Sequence, residues 1–320
     1  EQMRMYKMMA HVQTVTEYTS VARYLAGELP LDWEERMDWS KYEQAIFRFK
    51  LAAFWNRMYL ATYFGKYEFA ESLYDRMMVD KLDAPDFTSH TPIVLFIGLM
   101  ASNRYWQTKQ QKFVKILRHR KRELKKICNT QSKSVMSRYL LLRAEWASIK
   151  SSDSMPTYIR HCYDKSIDAA ERAGQLNEAG LACELAGEHV LRSTIDIQGM
   201  ARPYFTKAME YYQAWGAVAK CADLRSKRGE YIDEDQVRRS RKNNAIGGKA
   251  FEFANQKKKK IDFDLVSVNT PAAHTMVKTF MRQTSAMDHM SVATWVISVN
   301  FLCSCRAWTG SVVRFRSALF

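Results

Sequence analysis

Glu178, Glu184 and Glu188 have the types and spacing that best suit acid–base chemistry, standing six and then four positions apart in one helical region. Carboxylates transfer protons efficiently only from a pocket that moves their pKa toward neutrality. The surrounding LNEAGLACELAGEHVLR shows no such pocket, so the three read as interhelical or i,i+4 polar contacts. His161, with Cys162 beside it, and His189 fall within helical segments without a histidine-kinase dimerisation motif, and read as core or surface histidines. The seven histidines never form H-E-x-x-H or a comparable ligand spacing. Phosphate chemistry lacks its loops as well: G-x-x-x-x-G-K-[ST], G-x-G-x-x-G, H-R-D and D-F-G are all missing. Gly247-Gly248-Lys249 has no preceding strand and reads as loop. No catalytic, cofactor-binding or metal-binding residue is expected, and the chain itself is expected neither to hydrolyse ATP nor to transfer phosphate.

Cysteine and charge narrow the class further. Cys128, Cys162, Cys183 and Cys221 fall on apolar helical faces as buried free thiols, while Cys303-x-Cys305 lacks the second ligand pair of a zinc site. This usage fits a reduced, cytoplasmic setting. The net charge of +15 gathers in Lys109–Lys126, in Arg238, Arg239, Arg241 and Lys242, and in Lys257–Lys260. In the first run Phe113, Ile116, Leu117, Leu124 and Ile127 form one helical stripe, which sends the basic residues to the outer face. Such a face is a solvated surface first and a dock for acidic protein partners second. Nucleic acid ranks last, because the aromatics stand at core spacing rather than among the cations. Lys257–Lys260 is compatible with nuclear import, with anionic lipid or with plain solvation.

These residues must be positioned by helices. With 12 Gly and 6 Pro in 320 residues, breakers are too few for a strand-and-turn architecture. Apolar periodicity gives helix pairs at about Tyr42–Phe64 with Lys66–Leu82, Ile93–Gln107 with Gln110–Cys128, Lys133–Lys150 with Met155–Ala173, and Leu176–Ser193 with Gly199–Trp215. A shorter helix from Ala217 to about Lys227 closes the series. Ala201-x3-Phe205-x2-Ala208 matches the second helix of a tetratricopeptide-type repeat, and Gly65-x-Tyr67-x2-Ala70-x3-Tyr74 is an earlier copy. Ala182, Ala186, Trp215 and Gly216 complete the structural repeat positions. Pair starts recur every 40–50 residues, longer than the 34 of the ideal repeat. The predicted fold is therefore all-α, an irregular tetratricopeptide-like array of antiparallel helix hairpins, or α-solenoid. The stripe Trp55, Tyr59, Tyr63, Tyr67 and Tyr74 reads mostly as core, with a peptide groove as the alternative.

The stretch from 168 to 231 also resembles a known arrangement. Ala169, Ala170, Gly174, Glu178, Ala179, Leu181, Ala182, Glu184, Leu185, Ala186 and Gly187 match one segment of it. Ala201, Tyr204, Ala208, Tyr212, Trp215, Gly216, Ala217, Ala219 and Lys220 match a second, and Tyr139–Glu145 and Phe64–Tyr67 look alike upstream. The pattern resembles the helical repeat region of multidomain signalling kinases, which place a kinase-like domain and an AAA-type ATPase before it and a GAF sensor with an output module after it. The resemblance covers roughly 40–287 and implies a non-catalytic scaffold or coupling segment whose partners are protein domains in cis. The alternative is a stand-alone tetratricopeptide-like adaptor that binds peptides or acidic protein partners. Residues 1–39 read as a helical extension, 40–230 as the repeat domain, 231–260 as a basic polar linker and 261–287 as a linker helix toward a sensor domain. The chain opens on Glu1 rather than Met, which reads as a fragment or processed boundary, and 288–320 reads as a truncated or disordered tail. The apolar run Ser291–Cys305 is too short for a membrane span.

Overall fold

A computed structural model describes residues 20–29, 47–79, 91–128, 133–150, 156–192 and 198–241. After a helical stretch over 20–25 come α1 (Phe47–Tyr63), α2 (Tyr67–Val79), α3 (Thr91–Thr108), α4 (Gln111–Cys128) and α5 (Lys133–Lys150). Then follow α6 (Pro156–Arg172), α7 (Leu176–Arg192), α8 (Gln198–Trp215) and α9 (Val218–Arg228), with a 3-10 turn at Gly229–Tyr231 and a last helical stretch over 234–241. No strand occurs among the described residues, as an all-α chain requires. Lys257–Lys260, the segments after Ile261 and Cys303-x-Cys305 lie outside them.

Glycine sets several corners. Gly65 (φ 71°) follows α1 and Gly216 (φ 88°) follows α8, both in the left-handed region that costs a glycine nothing. In each corner the next amide returns to a carbonyl five residues back, Lys66 to Ala61 at 2.8 Å and Ala217 to Tyr212 at 3.0 Å. These bonds satisfy the last carbonyls of the helix and turn the chain sharply. The α3–α4 corner does the same work without glycine: Lys109 takes φ 57° and lays its ammonium 4.3 Å over the Trp106 ring.

Burial sorts the helices into layers. From Ile93 to Asn103 every residue of α3 is buried, and α7 is buried over most of Glu178–Val190. A helix apolar all round belongs inside, whereas α4 confines Phe113, Val114, Leu117, Leu124 and Ile127 to one inward stripe. Each helix from α1 to α9 packs on its neighbours in sequence, and α1 also packs on α3, α3 on α5 and α5 on α7. Arg120 departs from the expected pattern. It stands on the inward stripe of α4, 5% exposed, because the 3.6-residue period carries position 120 inward with Leu117 and Leu124, and it pairs with Glu123 at 2.9 Å.

The array also closes on itself. Tyr59 and Tyr63 of α1 reach Trp215 of α8 with ring centroids 6.4 and 5.5 Å apart, and Tyr63 reaches Tyr212 at 6.3 Å. Tyr59 also meets Phe96 of α3 edge-on at 5.1 Å. The aromatic stripe of α1 is therefore core: Trp55, Tyr59 and Tyr63 are buried, with Tyr67 and Tyr74 half-buried at the rim. Beyond α9, Ile232 and Val237 are buried and the Asp233 amide donates to Thr206 Oγ1 at 3.0 Å, so the packed helices continue past the composition change at 231.

Candidate functional site

The three glutamates of α7 each hold a different neighbour. Glu178 is buried and accepts from Arg138 Nε at 2.7 Å and Ser137 Oγ at 3.2 Å, both on α5. Arg138 also donates to Thr91 Oγ1 at the start of α3, so one ion pair ties three inner helices together. Glu184 accepts from Tyr212 OH at 2.7 Å on α8 and Lys220 Nζ at 2.8 Å on α9. Glu188 takes a bidentate pair of bonds from Arg228, at 2.6 and 2.8 Å. All three are interhelical, as expected, but Glu178 is no surface contact. Oxygens already occupied by fixed donors are structural ties, and no two of these carboxylates share a site as an acid–base pair would.

A second network stands in the same core. Glu145 of α5, fully buried, accepts from Ser102 Oγ of α3 and from Tyr163 OH of α6 at 2.6 Å. Lys220 is also fully buried, between Glu184 and Asp223, with its ammonium 5.6 Å over both the Phe64 and Tyr212 rings. Burial pulls its pKa down, yet Glu184 and Asp223 outweigh that and hold it above the usual lysine value. Local spacing alone does not announce these ties. Their signal was nevertheless present: Arg138 and Glu145 flank Leu141 and Leu142 on the buried stripe of α5, where an ionised side chain needs a partner.

Burial holds His189, Cys183 and Cys221 inert. Burial, helped by Arg192, pushes His189 down to about 4, so it is neutral at pH 7, and its ring lies 5.6 Å from that of Tyr163. His161 is exposed on α6. Burial raises the Cys183 thiol well out of the range of a nucleophile and pushes Cys221 up to about 11. Among the described residues no group of three or more His, Cys, Asp or Glu stands together to hold a metal, and Cys128, Cys162, Cys183 and Cys221 are free thiols.

The repeat positions fall at corners and in helix contacts. Gly65 and Gly216 form the corners described above, and Ala70, Ala182, Ala186, Ala201, Phe205, Ala208 and Trp215 are buried. Tyr67 and Tyr74 are half-buried on α2. Tight helix contacts also form at glycines that are not among the repeat positions. A Cβ on Gly180 would stand 2.7 Å from the Tyr212 ring, and one on Gly187 would stand 2.7 Å from the Phe205 ring. Gly98 of α3 is equally tight against Leu142 of α5, at 2.6 Å. Together the described helices offer a closed core of paired charges and aromatic rings, suited to holding a shape and to presenting surfaces. Among them no helix is long and apolar enough to cross a membrane. No family model, curated protein or solved structure matches the chain.

Proposed function

We propose that this chain is a non-catalytic helical coupling segment of a multidomain signalling kinase, linking an upstream ATPase to a downstream sensor or output module. The family part of this reading rests on the sequence resemblance. The observation that carries the coupling role is that residues near the two ends of the described fold meet. Tyr24 packs edge-on against Phe64 at 5.1 Å, Gly27 abuts Val218 of α9, and Lys227 Nζ donates to the Phe64 carbonyl at 2.8 Å. A module attached before residue 20 and one attached after residue 241 would thus bear on one packed cluster, which passes displacement better than an open array of independent repeats. The complete reading frame tests the proposal. Kinase-like and ATPase motifs before this stretch and a sensor domain after it are expected, and a short stand-alone frame would overturn it. The adaptor alternative draws support from one feature, the exposed basic face of α4.

A further inference from the structure

We infer that the outer face of α4 is a docking site for an acidic helix of a partner protein. Helix α4 carries eight Lys and Arg against one carboxylate, and that carboxylate, Glu123, is engaged by the buried Arg120. Lys112, at the start, is neutralised by Glu71 of α2 at 2.7 Å. Lys115, Arg118, Arg122, Lys125 and Lys126 remain exposed on one side, and among the described residues none of them has a carboxylate within ion-pair distance. Several of them are i,i+3 or i,i+4 neighbours of one another: Lys115 with Arg118, Arg118 with Arg122, and Arg122 with both Lys125 and Lys126. Like charges at that spacing destabilise a helix by a few tenths of a kcal/mol per pair. A merely solvated helix gains from opposite charges at i,i+4, as where Asp223 binds the exposed Lys227 on α9. The repulsion is also felt at Lys121, whose pKa is lowered by partial burial and then by Arg122, Arg118, Arg143 and Lys125.

The geometry selects the occupant. Lys115, Arg118, Arg122 and Lys125 advance along the helix by three or four residues, about 5 Å per step. Glutamates on a partner helix repeat at the same interval, so several carboxylates can meet the row in one register. Single-stranded nucleic acid, by contrast, binds by laying bases on free aromatic faces. The aromatic beside this row is Trp146 of α5, and Lys121 and Lys150 already lie over its ring at 4.4 and 5.4 Å.

The inference rests on reading the chain as a protein-interaction element, and its test does not depend on the parent protein. The probe is a labelled helical peptide with glutamates at i, i+3, i+4 and i+7, titrated by fluorescence anisotropy against the full 320-residue chain. Binding is expected, weakening as salt rises, and the Arg118→Ala/Arg122→Ala variant is expected to bind at least tenfold more weakly. A control, Lys165→Ala/Arg172→Ala on α6, removes two exposed charges elsewhere and is expected to leave the affinity unchanged. Circular dichroism and melting of both variants establish that each is folded. Equal losses in the two variants, or no binding, would overturn the inference and leave the coupling proposal to its reading-frame test. Tighter binding of single-stranded RNA or of anionic vesicles than of the peptide would overturn it in favour of those ligands.

Discussion

At the scale of single residues the fold depends on groups that are small or neutral where most side chains would not be. Gly180 and Gly187 lie seven residues apart on α7, two turns along one face, and both receive an aromatic ring from α8. Gly187→Ala is expected to cost about 1–3 kcal/mol by overpacking against Phe205, a ring held in the core. Gly199→Ala at the exposed start of α8, where nothing lies within 4 Å, is the control and is expected to be neutral or stabilising by up to about 1 kcal/mol. Denaturant melts of the two variants check the contrast. His189 makes a pH-dependent contribution. The folded state holds it near 4 against 6.5 when unfolded, so between those values the unfolded chain takes up the proton and stability falls as pH falls. The loss between pH 7 and pH 4 approaches about 3 kcal/mol for a group so buried. Urea midpoints at pH 7 and 5 should differ in the native chain and converge in His189→Gln. The alanines at helix contacts were visible in the sequence because three- and four-residue spacing reports which face turns inward. The depressed histidine was not, since burial and Arg192 act through space.

At the scale of elements, helix boundaries were legible and cross-helix ties were not. The expected Lys133–Lys150 recurs unchanged as α5, and Gln110–Cys128 differs from α4 by one residue. Such accuracy has a local cause, because left-handed glycines and breaks in apolar period lie within a few residues of the ends they set. Which polar residue pairs with which depends on how two helices lie against each other, and local spacing carries no record of that. Arg120 shows the consequence, since the same period that placed the basic run outside carries this one cation in. Helix α9 gives the sharpest element-scale prediction. Lys220→Met removes the buried cation shared by Glu184 and Asp223 and is expected to cost about 3–5 kcal/mol, as breaking a buried pair does. Adding Glu184→Gln and Asp223→Asn to that variant should recover part of the loss, because no charge is then left without its partner. Thermal melts of the single and triple variants measure this, and a triple variant less stable than the single would refute the ion-pair account.

At the scale of the whole molecule, an open array and a closed one make different predictions about distance in sequence. In an open array each hairpin touches only its neighbours, so removing the last element loosens the adjacent pair and leaves the first untouched. Here Tyr63 of α1 packs on Tyr212 and Trp215, and Lys227 caps the Phe64 carbonyl, across more than 140 residues of chain. Periodicity could not announce these contacts, for it reports which side of a helix is apolar and not which distant helix covers it. Deleting residues 218–241 would take away Lys220 and Lys227, uncover Phe64, and leave Glu184 without its cation. The amides of residues 53–64 are then expected to lose hydrogen-exchange protection together with those of α8, while α4, which packs on α3 and α5, keeps its own. Exchange measured by mass spectrometry on peptides from α1, α4 and α8 decides the matter. Unchanged protection over 53–64 would mean that the closing contacts contribute nothing, and the coupling role argued from them would fall with them.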